Sequence, residues 1–109
     1  MKRALLILLM AAAATADAQT TYQNPVIDRS LPDPTVMRVG DVFYLYSTED
    51  IHNVPIYKST DLVAWTYVGT AFTDATRPKM VPNGGIWAPE INYVGGKWLL
   101  YYSKSTWCD

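Results

Sequence analysis

Two stretches of this sequence carry the same pattern 55 residues apart. Pro34 corresponds to Pro89, Val36 to Ile91, Val39 to Val94 and Gly40 to Gly95, and the match continues with Phe43 to Trp98, Leu45 to Leu100 and Tyr46 to Tyr101. A proline, a glycine and five apolar or aromatic positions in one register exceed what chance alternation usually produces. The repeating unit is made of short β-branched and aromatic runs bounded by Gly, Pro, Asn or Asp, which predicts strands over 35–38, 42–48, 55–58 and 65–68, then again over 91–94 and 98–103. The Val39-Gly40-Asp41 and Gly95-Gly96 turns make hairpins of the first and last pairs. Residues 71–85, rich in Thr, Pro, Asn and Gly, read as a long surface connection.

No segment beyond residue 18 places apolar residues at i, i+3, i+4 and i+7, so the expected class is all-β. A unit of roughly 50 residues with four short strands has the pattern of a β-propeller blade, while two ordinary hairpins of a β-sandwich would account for part of it. The first blade is expected at about 33–69 and the second from about 88. Propellers close with roughly four to eight blades, each burying its faces against its neighbours. One and a half blades therefore read as the N-terminal part of a longer protein. A short protein completed by oligomerisation is the alternative.

Ahead of the repeat, Lys2-Arg3 is followed by an apolar run over 4–14 and by Ala16-Asp17-Ala18. A positive start, a short apolar core and a small-x-small site make a secretory signal peptide over 1–18, and the run is shorter than the roughly 20 residues a membrane span needs. Export to the periplasm or the extracellular space follows, with no membrane association once the signal is removed. The domain then occupies 19–109, with seven Lys or Arg, nine Asp or Glu and no charge block. A nucleic-acid or anionic-membrane partner, which needs a concentrated basic surface, is not expected. Cys108 is the single cysteine, no Cys/His cluster has zinc-ligand spacing, and no metal or cofactor is required. Four Trp and eight Tyr against two Phe suit either a strand-rich core or a sugar-binding surface.

Asp33 stands directly before the first strand, between Pro32 and Pro34. The prolines restrict the backbone on both sides, and a fixed carboxylate is what a general base needs to stay within reach of its water. The same residues also describe an ordinary Asp-Pro turn. Glu90, in Gly85-Ile86-Trp87-Ala88-Pro89-Glu90-Ile91, is the carboxylate of the second unit, but in the repeat register it matches Thr35, and Ala88 matches Asp33. It reads as a structural or substrate-positioning group rather than the partner of Asp33. Trp87 offers a flat platform for a sugar ring or a core residue between blades. Trp65 is expected to pack between sheets, and His52, the only histidine, to be a loop residue. No Gly-x-Ser-x-Gly and no phosphate-binding glycine loop is present.

The segments Tyr22-Gln23-Asn24-Pro25-Val26, Leu31-Pro32-Asp33-Pro34-Thr35-Val36 and Phe43-Tyr44-Leu45-Tyr46-Ser47-Thr48 resemble the opening of glycoside hydrolase family 43. The run Ile56-Tyr57-Lys58-Ser59-Thr60-Asp61-Leu62-Val63-Ala64-Trp65 resembles the family's third strand and the turn after it, and residues 85–91 its second-blade signature. The resemblance implies a five-bladed β-propeller that hydrolyses arabinose- or xylose-containing polysaccharides or oligosaccharides with inversion. Asp33 matches the family's general base. The family's pKa-tuning Asp and its general-acid Glu fall in later blades, beyond residue 109. By the same pattern Trp87 and its neighbours, Glu90 among them, line the substrate pocket; any calcium in the channel of the parent protein depends on later blades, and no ligand set for it is visible here. A non-catalytic carbohydrate-binding propeller and an inert truncated product remain the rival readings.

Overall fold

A computed structural model describes residues 21–106; the signal peptide expected over 1–18 and Cys108 lie outside the described residues. Six strands make up the regular structure of the described residues: β1 (Thr35–Val39), β2 (Val42–Tyr46), β3 (Pro55–Ser59), β4 (Thr66–Thr70), β5 (Gly85–Val94) and β6 (Lys97–Ser105). The first four form one antiparallel sheet in the order β1-β2-β3-β4, and β5-β6 form a separate hairpin.

The repeat seen in the sequence is a repeat of register. In the first unit Thr35, Val36, Met37, Arg38 and Val39 oppose Tyr46, Leu45, Tyr44, Phe43 and Val42. In the second, Glu90, Ile91, Asn92, Tyr93 and Val94 oppose Tyr101, Leu100, Leu99, Trp98 and Lys97, the same five pairs moved by 55 residues. Both hairpins turn on glycine at positive φ, Gly40 at 60° in the first and Gly95 at 58° with Gly96 at 80° in the second, conformations a Cβ would strain. Equivalent cross-strand pairs also keep a side-chain contact of different chemistry, the second one tilted at 47°. The Arg38 guanidinium lies 5.6 Å from the Phe43 ring centre, and the Tyr93 and Trp98 rings lie 4.8 Å apart.

The units face one another at two apolar places. Met37, Val39, Tyr44 and Tyr46 on one face of the β1–β2 hairpin and Ile91 and Trp98 of the second unit line a groove of about 260 Å³. Phe72, after β4, meets Tyr102 of β6 edge-on at 5.5 Å. The other face of the first sheet carries Leu45 and Tyr57, and there residues 24–31 lie close to Leu45, Trp65 and Tyr57. Among the described residues Leu45, Tyr57, Val54 and Ile86 make the buried hydrophobic core, with Pro55 buried beside Val54 in sequence.

Differences from the sequence pattern are local. β4 begins at Thr66 rather than Trp65, because the Asp61 carboxylate and the Ser59 hydroxyl hold residues 61–64 in a tight turn that Trp65 closes with an indole N–H bond to the Leu62 carbonyl. β5 begins at Gly85, six residues earlier than the predicted 91, and the intervening chain is not merely a surface loop: Arg77 is drawn into the interior by Glu49.

Candidate active site

The early start of β5 is explained by a bulge. Trp87 opposes Ser103 and Glu90 opposes Tyr101, so Ala88 and Pro89 together face the single residue Tyr102. Ala88 takes a left-handed φ of 45° and Pro89 has no N–H to contribute, so the strand kinks and then resumes. The first unit repeats the device. Asp33 has a φ of 46°, Pro34 follows it, and across the kink the Thr48 N–H donates to the Pro32 carbonyl at 2.9 Å. Pro32 and Thr48 correspond to Trp87 and Ser103 in the 55-residue register, so Asp33 occupies the bulge position that Ala88 fills in the second unit. Asp is one of the few residues whose short polar side chain makes the left-handed region tolerable.

The two bulges meet at Thr48. The Ala88 N–H, left out of the β5–β6 ladder, donates to Thr48 Oγ1 at 2.7 Å, and the Thr48 hydroxyl donates to Asp33 Oδ2 at 2.7 Å. Asp33 itself is exposed, and Oδ1 has no protein donor among the described residues. The carboxylate is thus held by one oxygen on an exposed side chain. That geometry can accept a proton from a bound water.

A second cross-unit linkage lies one residue further on. The Glu49 side chain, 5% exposed, receives two guanidinium N–H groups of Arg77, the Asn53 N–H at 2.9 Å and the Ile86 N–H at 2.6 Å, while the Glu49 N–H donates to the Ile86 carbonyl at 3.1 Å. Arg77 also donates to Asn53 Oδ1 at 3.0 Å and to the Gly84 carbonyl at 3.1 Å. Burial alone would raise the Glu49 pKa, but the hydrogen bonds from Arg77, Asn53 and Ile86 outweigh it and hold it at about 2, below the ordinary 4.5. A pKa depressed in the folded state stabilises the fold at pH above the unfolded value, and that contribution drains away as pH falls from about 4.5 towards 2. Acid titration of the intact protein followed by circular dichroism is expected to show loss of structure in that window, and Glu49→Gln is expected to flatten the dependence.

Of the other candidates, Glu90 is exposed and accepts from Asn92 Nδ2 at 3.4 Å, outside the Asp33–Thr48–Ala88 chain. Trp87 is half-buried, and its indole nitrogen lies over Gly85 so closely that a Cβ there would collide with it. Gly85→Ala is therefore expected to displace the Trp87 ring and cost about 1–3 kcal/mol of stability. A shifted tryptophan emission spectrum and a lower denaturation midpoint would register both. His52 is exposed and pairs with Asp74 at 3.4 Å, and Trp65 is half-buried beside residues 24–31. Among the described residues no three His, Cys, Asp or Glu side chains converge as metal ligands.

Thr48, Glu49 and Arg77 were not singled out by sequence pattern. A faint signal exists for Thr48, since the repeat keeps a hydroxyl at the matching Ser103. For the ion pair there is none, because 28 residues separate its members.

A family profile, glycosyl hydrolases family 43, matches residues 22–109. A non-reducing end alpha-L-arabinofuranosidase of Bacteroides ovatus is 39% identical over 108 residues, covering 90% of this chain and 20% of that protein. A xylan 1,3-beta-xylosidase of a Vibrio species is 33% identical over 94 residues, covering 82% of this chain and 18% of that protein. Among solved structures, the Cellvibrio cellulosa alpha-L-arabinanase superposes with a TM-score of 0.62 at 39% identity, covering 72% of this chain and 26% of that one; its complex with arabinohexaose superposes with a TM-score of 0.61 at 38% identity over the same shares. The chain thus spans about a fifth of the length of the curated relatives it matches. The all-β propeller class expected from the repeat holds, the described residues forming one four-stranded blade and the first hairpin of the next.

Proposed function

Because the chain belongs to glycosyl hydrolases family 43, we propose that the intact protein is an exported glycosidase that hydrolyses arabinose- or xylose-containing polysaccharides or oligosaccharides with inversion, and that Asp33 is its general base. The observation that carries the assignment is the half-anchored carboxylate: Oδ2 is held by Thr48 on a side chain that is itself exposed. The substrate class is supported by what the relatives are named for, arabinofuranosides, xylan and arabinan. Export is supported by the leader pattern over residues 1–18 and by relatives named as extracellular.

In this mechanism ionised Asp33 removes a proton from a water beneath the anomeric carbon, the water oxygen bonds to that carbon, and the leaving oxygen departs on the opposite face, protonated by a carboxylic acid from a later part of the intact protein. Inversion requires the two carboxyl groups to stand roughly 6.5–9.5 Å apart, leaving room for the water. Trp87 stacks on a sugar ring and Glu90 positions a hydroxyl at the edge of the same site.

The test is turnover by the intact protein of 4-nitrophenyl α-L-arabinofuranoside, 4-nitrophenyl β-D-xyloside, arabinan and xylan, with proton NMR of the first-formed sugar. Hydrolysis giving the opposite anomer is the expected result. Retention of configuration would overturn the base role, and sugar binding without hydrolysis would make the protein a carbohydrate-binding propeller.

A further inference from the structure

We propose that Thr48 is a positioning residue for Asp33, and that it ties the reactivity of Asp33 to correct seating of the second blade; the proposal rests on Asp33 being the general base. A backbone N–H can only donate. With the Ala88 N–H directed at Thr48 Oγ1, the hydroxyl proton is available for the other contact, and at 2.7 Å it points at Asp33 Oδ2. The polarity of the chain is therefore fixed: amide to hydroxyl to carboxylate. It cannot reverse, because an ionised carboxylate only accepts.

Three consequences follow from that polarity. The hydrogen bond is charge-assisted, so it is short and directional, and it fixes the carboxylate plane. It occupies Oδ2, which leaves Oδ1 as the atom that meets the water. It also completes a two-point grip, because the Thr48 N–H holds the Pro32 carbonyl and so clamps the bulge on which Asp33 is carried. The bulge of the second unit takes part only through its backbone, so the contact depends on where β5 sits and not on the identity of residue 88. The neighbouring Glu49–Ile86 bonds set that seating.

Turnover by the intact protein of whichever of the four named substrates it hydrolyses tests this. Thr48→Val keeps the volume and removes the hydroxyl, and kcat is expected to fall about 10- to 100-fold with KM nearly unchanged, the scale set by loss of orientation in a near-attack geometry. Thr48→Ser restores the hydroxyl and is expected to return kcat to within about threefold of the original. In the background of Asp33→Asn, Thr48→Val is expected to add no further loss, because the two act as a unit. Undiminished kcat in Thr48→Val, or an equal loss in Thr48→Ser, overturns the proposal. If Thr48→Val does not fold, Thr48→Ala serves in its place under the same criteria. Full activity of Asp33→Asn instead overturns the base assignment itself, which separates the two failures; absence of turnover on all four substrates overturns both.

Discussion

Asp33→Asn in the intact protein is expected to lower kcat by roughly 10²–10⁴-fold, the usual contribution of a positioned general base, while leaving substrate affinity close to its original value. Asparagine is nearly isosteric, tolerates the left-handed φ of 46° and still offers an oxygen to the Thr48 hydroxyl, so the bulge and the fold survive. What is lost is proton affinity at the atom facing the water. Binding energy comes from side chains that contact the sugar and is not altered at the ground state, so the change falls on kcat and not on KM. Steady-state kinetics beside calorimetric titration with an arabino- or xylo-oligosaccharide separates the two quantities. Undiminished turnover would remove Asp33 from the chemistry.

Arg77→Ala is expected to destabilise the fold by about 3–5 kcal/mol, the cost of stranding one member of a buried ion pair. The Glu49 carboxylate is 5% exposed and would keep only its backbone donors, Asn53 and Ile86, so part of the negative charge would be buried without a counter-ion. The exposed pair Arg38–Asp41, with side chains 62% and 98% accessible, makes the comparison: removing Arg38 is expected to cost only about 1 kcal/mol, because water screens the ion pair and the contact with Phe43 is itself exposed. Chemical denaturation of the intact protein and its two variants measures both. Because Glu49 also grips Ile86, Arg77→Ala is further expected to loosen β5 and so lower activity through the Ala88–Thr48–Asp33 chain.

Residues 33 and 88 mark how far sequence pattern reaches. Asp33 and Ala88 align, and the alignment alone argued against treating Glu90 as the counterpart of Asp33. The structure gives that alignment its meaning, since both residues carry the left-handed φ of the same bulge. Residues 71–85 mark the opposite case. Their composition reads as surface, yet Arg77 lies inside, because a salt bridge to a distant carboxylate leaves no local pattern in the chain.

Sequence by itself determined the all-β class, the 55-residue repeat, the two glycine turns and the placement of Asp33 at the mouth of β1. These are properties of alternation, turn chemistry and proline, all written within a few neighbouring residues. Only the tertiary structure decided that Thr48 stands between Asp33 and Ala88 and that Glu49 joins Arg77 to Ile86. Those contacts span 15 to 40 residues, and no local propensity encodes them. They arise because a bulge frees one backbone N–H and a buried carboxylate must find donors, and packing of the second unit against the first brings the two needs together.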